Sequence, residues 1–272
     1  MKIVVLVEDG EVNNGCEYEH GLSIYVETKK HKILVDAGAT GMFLRNAKKL
    51  DVDISKIDTF VLSHGHYDHS GGLMPFMVEA MSAETGSDMT IYIKKGADGE
   101  YYHGDRYIGI DKDIMKLEGV KIVKNDMVID DELSLFSNVT GRRYFAAGNL
   151  LLTDKKTGEP DTFSHEQYLV ISADEKNVLI SGCAHNGIVN ILERYKEVYG
   201  SAPDLVISGF HFMKKGEYTD EEKENIVAVA KELCEYDTIF YSGHCTSEPA
   251  YEIMKPIMKE KLQKMYTGCA ID

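Results

Sequence analysis

Short runs that are apolar, or that alternate apolar with polar residues, recur along the chain and predict strands. These runs cover residues 2–7, 22–27, 32–35, 59–62, 89–93, 120–123, 144–147, 168–172, 177–181, 205–208, 239–242 and 264–267. Apolar residues at helical spacing predict helices at 41–50, 188–199, 226–233 and 248–262, and a further helix that begins near Gly71. Thr219 and Glu222 have the spacing of a capping box for the helix at 226–233.

The order of these elements indicates the fold class. Strands alternate with helices from residue 166 onward, which predicts an α/β protein whose sheets are covered by helices. We expect residues 1–272 to form a single domain, since no linker, low-complexity tract or repeat interrupts them. Residues 85–165 are less regular and rich in Gly, Asp and Lys, and we expect this middle segment to shape a pocket of that domain.

Composition and charge narrow the classes of function. The hydrophobic content of 43% and the charged content of 28% are typical of a soluble globular protein. Neither a membrane span nor a secretory signal is expected, because no apolar run is long enough and the N-terminus soon turns acidic. The net charge of −15 disfavours a nucleic-acid partner, since binding to a phosphate backbone depends on Lys and Arg. Five widely separated cysteines favour a reducing, cytoplasmic location.

The strongest chemical signal is the segment Ser-His-Gly-His-Tyr-Asp-His at residues 63–69, directly after a predicted buried strand. Side chains two residues apart in an extended segment point to the same side, so we expect His64 and His66 to bind one metal ion. Asp68 and His69 lie past the turn and suit a second ion nearby. A His-rich surface loop is the alternative interpretation, and the position after a buried strand favours the metal site.

Three later strands each end in Ser-Gly followed by a His within three residues. Ligand sites in α/β folds gather outside strand ends, so these segments are candidates for one shared cleft. We expect His185 and His244 to complete the metal sites. His211 is either a ligand or a residue that contacts substrate or transfers a proton. Cys183 is either a zinc ligand or a small buried thiol.

Other polar residues are candidates on weaker grounds. His165 precedes a strand and remains a metal ligand or a substrate contact. Asp36 ends a strand, where it either caps a turn or accepts hydrogen bonds that orient the ligand loop, and we favour the second role. Arg142 and Arg143 either meet an anionic substrate or lie in a solvated loop. His20 is close enough in the chain to reach the site, but no neighbouring residue requires it there.

Two segments carry a resemblance to the metallo-β-lactamase-fold hydrolases: Ile-Leu-Val-Asp-Ala-Gly at 33–38 and Leu-Ser-His-Gly-His-Tyr-Asp-His-Ser-Gly-Gly-Leu at 62–73. The segments at 181–190, 209–211 and 244–246 resemble the subgroup named for a dihydropterin ribofuranosylaminobenzene-phosphate synthase, and that similarity spans nearly the whole chain. The resemblance implies a four-layer αββα sandwich with the metal site at one edge between two sheets. It also implies two divalent ions, usually zinc and sometimes iron or manganese.

The resemblance further implies which residues bind the ions. The first ion would be held by His64 and His66, and the second by Asp68 and His69. One register of the superfamily adds His165 and Cys183, whereas the pattern of the subgroup adds His185, which we favour. The last ligand should be a late His, and we prefer His244 to His211. Cys183 stands where glyoxalase-like members have a bridging Asp, so the bridging geometry is open.

The expected reaction is hydrolysis of a small ester, lactone or phosphoester by a hydroxide bound between the two ions. Asp68 would orient this nucleophile and accept its proton, and the second ion or His211 would stabilise the developing negative charge. A transferase of the synthase type is the main alternative. A di-iron redox enzyme would need a flavin domain, and the complete motif disfavours a metal-free binding module. The expected partner is a small-molecule substrate, and the acidic surface does not exclude a homodimer.

Overall fold

The computed structural model describes residues 1–82 and 89–271. Its strands are, in chain order, β1 (Lys2–Val7), β2 (Ser23–Glu27), β3 (Lys32–Val35), β4 (Thr59–Leu62), β5 (Thr90–Lys94), β6 (Tyr101–His103), β7 (Arg106–Tyr107), β8 (Val120–Val123), β9 (Met127–Val128), β10 (Leu133–Ser137), β11 (Leu152–Asp154), β12 (Glu159–Pro160), β13 (Gln167–Ala173), β14 (Lys176–Ile180), β15 (Leu205–Ile207), β16 (Ile239–Ser242), β17 (Leu262–Lys264) and β18 (Ala270–Ile271). Its α-helices are α1 (Met42–Lys49), α2 (Tyr67–Ser70), α3 (Leu73–Ser82), α4 (Ile188–Tyr199), α5 (Asp220–Leu233) and α6 (Glu248–Met258). Short 3-10 helices cover Ile54–Lys56, Lys112–Lys116, Ala147–Leu151, His244–Thr246 and Lys259–Lys261.

Two seven-stranded sheets organise the structure, in the orders β18-β1-β2-β3-β4-β5-β8 and β17-β16-β15-β14-β13-β10-β9. In the first sheet β3, β4, β5 and β8 run parallel to one another. In the second sheet β14, β15, β16 and β17 do the same. The carboxyl ends of parallel neighbours meet at one edge, so the segments that follow β3, β4, β14, β15 and β16 emerge side by side.

Alternation of side chains along each strand divides the core into layers. The inner faces of the two sheets pack on each other through residues such as Val35, Val61 and Ile180. Helices α1 and α3 cover the outer face of the first sheet, and α4, α5 and α6 cover the outer face of the second. These layers confirm the predicted α/β class and the αββα sandwich. None of the helices in residues 1–82 and 89–271 combines the length and apolar character that crossing a bilayer requires.

A third sheet is built largely from the middle segment of the chain. Its four strands have the order β12-β11-β6-β7 and fall in a region where the sequence predicts only loops and isolated strands. Strands β6, β7, β9, β10, β11 and β12 were not predicted. Residues 85–88, at the start of the predicted middle segment, lie outside the described residues.

Most predicted elements are confirmed, several with the expected bounds. Helix α4 and strands β1, β3, β4, β8 and β16 begin and end where the pattern places them. Helix α5 has the predicted capping box, in which the Thr219 side chain accepts a hydrogen bond from the Glu222 backbone N–H. The helix begins at Asp220 and not at 226. The apolar pattern misses the first turn of this helix because that turn is acidic and faces solvent.

Three further predictions are wrong. The expected strand at 144–147 is absent from this described loop: Tyr144 has a φ of 52° and the Ala147–Leu151 3-10 helix follows. Helix α6 ends at Met258 and not at 262, because Lys259 adopts a φ of 50° that breaks the helical path. The expected strand at 264–267 is displaced, since β17 already ends at Lys264.

Candidate metal centre

The segment at 63–69 leaves the carboxyl end of β4 and changes conformation within a few residues. His66 is extended, with φ −108° and ψ 151°, whereas Asp68 and His69 lie on the single turn of α2. The side chains of His64, His66, Asp68 and His69 are all buried. His64 and His66 therefore precede α2, whereas Asp68 and His69 lie on it, and the ring centroid of His64 is 4.6 Å from that of His66 and 4.2 Å from that of His69.

Glycines hold this segment against the neighbouring backbone. A Cβ on Gly65 would lie 2.3 Å from the carbonyl oxygen of Ala97. A Cβ on Gly71 would lie 2.1 Å from the carbonyl oxygen of Ala39. Both distances are far below any real carbon–oxygen contact, so a side chain at either position would push the ligand loop away from the sheet.

The first group of donors contains His64 and His185, and the ring of His66 lies beside them. The Nε2 atoms of His64 and His185 are 3.3 Å apart. The ring centroid of His66 lies 4.6 Å from that of His64 and 4.9 Å from that of His185. His66 Nε2 is buried and has no hydrogen-bond partner among the described residues. Imidazoles from both sheets therefore lie close together: the donor atoms of His64 and His185 group with that of Cys183, and the donor atom of His66 groups with those of Asp161 and His165.

Burial and mutual repulsion keep these three imidazoles neutral. Desolvation, together with the neighbouring imidazoles, holds the pKa of His64 and of His185 well below the ordinary value of 6.5. Desolvation is also the main cause that lowers the pKa of His66 to about 3. Metals bind the neutral imidazole, so each ring is in its ligand form at physiological pH.

Hydrogen bonds from behind fix the orientation of the rings. His185 Nδ1 is 2.9 Å from the side-chain oxygen of Asn149, whose amide also donates to the His185 carbonyl at 2.8 Å. His64 Nδ1 is 2.9 Å from the Ser63 hydroxyl. With each Nδ1 engaged, Nε2 is the atom that faces the shared volume, which is how metal-binding histidines are usually held.

Asp68, His69, Cys183 and His244 form the second group, with their donor atoms all within 4.8 Å of one another. His69 Nε2 lies 3.2 Å from both Cys183 Sγ and His244 Nε2. Asp68 Oδ2 lies 3.5 Å from His69 Nε2 and 3.6 Å from His244 Nε2. Cys183 Sγ is also within 4.8 Å of the donor atoms of His64 and His185, so this sulfur lies between the two groups.

The buried carboxylate of Asp36 and the half-buried carboxylate of Asp9 orient the histidines of the second group. Asp36 Oδ2 is 2.6 Å from His69 Nδ1, and Asp9 Oδ1 is 2.5 Å from His244 Nδ1. Burial opposes protonation of His244, but the Asp9 carboxylate prevails and raises the pKa of His244 to about 10. Burial raises the pKa of Asp68, and the neighbouring His69 and His244 more than offset this, so the net shift is downward.

The structure separates the remaining candidates. Both ring nitrogens of His165 are engaged: Nδ1 accepts from the Gly65 backbone N–H at 2.9 Å, and Nε2 is 2.9 Å from Asp161 Oδ2. His165 thus supports the ligand loop from behind, and its donor atom lies within 4.8 Å of those of His66 and Asp161. The ring of His211 lies 4.1 Å from that of His185, and within the part of the chain that the structure describes its Nδ1 has no partner. Arg143 forms ion pairs with Glu193 and Glu232, which hold the loop around Tyr144 against two helices.

A cleft of about 520 Å³ opens onto both donor groups. Its walls include Ile108, Leu151 and Leu152 from the middle segment of the chain. A larger cavity of about 730 Å³ adjoins it and shares Gly148, His211, Met213 and Lys214. A small molecule can therefore reach the donors, and His211 stands where the two spaces meet.

Some residues at the site were not predicted. Asp9 follows β1 in the same way that Asp36 follows β3, so the strand-end pattern was available to identify it. His20, which the sequence named only as a residue able to reach the site, contacts Asp9 through Nδ1 at 2.7 Å and lies 3.5 Å from Asp68 Oδ2. Asn149 gives no sequence signal, because its contact with His185 spans 36 residues.

The donor set fits divalent transition-metal ions. Imidazole nitrogen, carboxylate oxygen and thiolate sulfur are the ligands that zinc prefers, and here they converge in a buried, oriented array. The unpartnered Nε2 of His66 is the clearest single sign, since a buried nitrogen without a hydrogen bond is otherwise unfavourable.

The chain is similar to several known proteins. Residues 18–244 match the family described as the metallo-beta-lactamase superfamily. The crystal structure of Tm1679, a metal-dependent hydrolase of the beta-lactamase superfamily, matches with 33% identity and a TM-score of 0.81 over 100% of this chain and 98% of that one. An uncharacterized Methanocaldococcus jannaschii protein, MJ0448, is 30% identical over 72% of this chain and 73% of its own length. The 7,8-dihydropterin-6-methyl-4-(beta-D-ribofuranosyl)-aminobenzene-5'-phosphate synthase of the same organism is 26% identical over 98% of this chain and 95% of its own.

Proposed function

The chain belongs to the metallo-beta-lactamase superfamily, and on this premise we propose that it is a hydrolase that acts on a small ester, lactone or phosphoester at a dinuclear metal centre. The observation that carries the proposal is the pair of buried donor groups that meet at Cys183 beneath an open cleft. The likeness to a metal-dependent hydrolase over the whole chain supports it.

The two donor groups divide the ligands between two ions. The first ion would be held by His64, His66 and His185, the second by Asp68, His69 and His244, and Cys183 would contribute its sulfur between them. When bound, divalent ions act as Lewis acids that lower the pKa of a coordinated water to roughly 7 and polarise the oxygen of the substrate. Zinc suits this mixed set of nitrogen, oxygen and sulfur donors, with iron or manganese as alternatives.

The protein groups around the ions orient the reactants and move protons. Asp68 has a lowered pKa, so its carboxylate is ionised and its Oδ2 can accept a hydrogen bond and then a proton from the attacking water. His20, 3.5 Å from that oxygen, lies where the proton can leave toward solvent. His211 lines the cleft with an unpartnered Nδ1 and is placed to donate to the negative charge that develops on the substrate.

Metal removal tests the proposal. Chelator-treated protein should lose turnover of 4-nitrophenyl esters, simple lactones and bis(4-nitrophenyl) phosphate, and should regain it with zinc or manganese. His185→Gln should lower both the metal content and the turnover, whereas His31→Gln, which removes an imidazole far from the centre, should change neither. Full turnover by metal-free protein would refute a metal-dependent hydrolase.

A synthase-type transferase is the second candidate. The likeness to the Methanocaldococcus jannaschii synthase over 98% of this chain favours it. The cavity of about 730 Å³ beside the cleft also provides room for a second substrate. Release of pyrophosphate that requires both a pterin precursor and a ribosylated aminobenzene phosphate would support this function over hydrolysis.

A further inference from the structure

The charge of the cleft is opposite to the charge of the chain. The protein has 45 acidic and 30 basic residues, for a net charge of −15. Among the described residues that line the cleft, Asp68 is the single carboxylate, and it belongs to the second group of metal donors. Arg106, Lys214 and Lys215 line the same cleft. A strongly acidic protein thus presents cations at the entrance to its proposed metal centre.

Arg106 is held beside the ligand motif without a carboxylate partner. It lies on the exposed strand β7, and its guanidinium carbon is 4.8 Å from the ring centroid of Tyr67, the residue that precedes Asp68. It forms no ion pair within residues 1–82 and 89–271. The aromatic ring limits the directions the guanidinium can take, while its N–H donors remain available to an oxygen ligand.

Lys215, in the segment that follows β15 of the second sheet, supplies a second available cation. Its neighbour Lys214 is neutralised by Glu222, with Nζ–Oε distances of 2.8 and 2.7 Å. Lys215 is exposed, lines the cleft and has no carboxylate partner in the described parts of the chain. The segment that carries it follows β15, whereas Arg106 belongs to the third sheet, so the two cations reach the cleft from separate elements.

We propose that Arg106 and Lys215 recognise an anionic group of the substrate that is separate from the bond cleaved at the metal centre. This inference rests on the proposed function, because it assigns the substrate class of the same cleft. The apolar wall at Ile108, Leu151 and Leu152 would contact the part of the substrate that joins the two ends. Such a substrate is a phosphate- or carboxylate-bearing ester with an apolar linker.

Matched esters test this recognition. Zinc-loaded protein is assayed with three 4-nitrophenyl esters: the neutral pentanoate, the hemisuccinate that ends in a carboxylate, and the 3-phosphonopropanoate that ends in a phosphonate. The Arg106→Gln/Lys215→Gln double variant should lose about tenfold in kcat/KM with a charged ester, the size expected for charge-assisted hydrogen bonds. The loss should appear in KM with kcat unchanged, and the neutral ester should be unaffected. A larger effect with the phosphonate or with the carboxylate identifies the preferred anion.

Lys176→Gln is the matched control. Lys176 is exposed at the start of β14, at the end of that strand opposite to Cys183, and its substitution removes one positive charge away from the cleft. An equal fall with neutral and charged esters in the double variant, or an equal fall in Lys176→Gln, would overturn the inference.

Binding distinguishes failure of this inference from failure of the proposed hydrolysis. The dissociation constant of 3-phosphonopropanoate, measured by titration calorimetry on zinc-loaded protein, should rise about tenfold in the double variant. If no ester is turned over, the proposed hydrolase is wrong and this measurement still decides the inference. An unchanged dissociation constant would overturn it.

Discussion

Asp36→Asn perturbs the metal centre without changing its shape. Asp36 is fully buried, and its carboxylate accepts hydrogen bonds from the Ser63 backbone N–H at 2.8 Å and from the Ser63 hydroxyl at 2.7 Å. The same carboxylate lies 2.6 Å from His69 Nδ1. Its φ of 57° is in the left-handed region, which Asn tolerates as well as Asp does, so the backbone should be unaffected. The substitution exchanges one acceptor oxygen for an N–H donor.

Either orientation of the new amide leaves a conflict. If the NH₂ group takes the place of Oδ1, it faces the backbone N–H of Ser63, so two N–H donors oppose each other and this buried backbone donor loses its partner. If it faces His69, the imidazole must move its proton to Nε2, the atom directed at the ion. The free energy of unfolding of the metal-free protein should fall by about 1–3 kcal/mol, the usual penalty for a buried unsatisfied group. Affinity for the ion held by His69 should fall by about 10–100-fold.

Asp161→Asn provides the control, since Asp161 makes a similar buried contact of 2.9 Å to His165, which we place outside the ligand set. Chelator competition measures the metal affinity, and urea unfolding measures the stability. Asp161→Asn should lose stability and keep both ions. Wild-type metal affinity in Asp36→Asn, or an equal loss in both variants, would refute the orienting role of Asp36.

Three further predictions concern other parts of the molecule. Cys183→Ser should abolish the sulfur-to-metal charge-transfer absorption of cobalt-loaded protein while Cys269→Ser keeps it, and persistence in Cys183→Ser would exclude that sulfur as a ligand. Gly65→Ala should destabilise the protein by roughly 1–3 kcal/mol and reduce its metal content, because the new Cβ meets a backbone carbonyl, and unaltered urea unfolding would contradict this. Burial lowers the pKa of His31, but two neighbouring aspartates raise it more, so the net shift is upward. The ion pairs of protonated His31 with these aspartates therefore stabilise the fold fully below the pKa of about 6.5 in the unfolded chain. This stabilisation is lost as the pH rises through the higher pKa of His31 in the folded protein. The stability difference between wild type and His31→Gln, at most about 1 kcal/mol after solvent screening, should therefore shrink with rising pH, and a constant difference would contradict it.

The polar residues that follow several strands predicted the region of the site, because the carboxyl ends of adjacent parallel strands lie at the same edge of a sheet. His185, His211 and His244 follow β14, β15 and β16, which are adjacent parallel strands, so the Ser-Gly-His segments had to emerge together. The same reasoning brought Asp36 next to the motif that follows β4. The hydrophobic period and the alternation of strands with helices along the chain carry this information, and both are visible in the sequence.

Local patterns could not predict contacts between distant loops. The segment around Tyr144 reads as a strand, yet Arg143 ties it to Glu193 and Glu232 on two helices and imposes a bent path. The role of His165 was equally hidden, because it depends on Asp161 and on the Gly65 backbone, which lies 100 residues away. Such tertiary contacts override the periodicity of a short segment.

The donors of each group come from both large sheets, and this makes an ion equivalent to a covalent cross-link. His69 and Cys183 are separated by 114 residues, and His69 and His244 by 175. A cross-link that closes a loop of about 100 residues removes roughly 5 kcal/mol of entropy from the unfolded chain in the chain-entropy estimate. An ion bound to donors from both sheets would hold the two halves of the sandwich against sliding or separation. Metal supply would then set the lifetime of the native state as well as the activity of the protein.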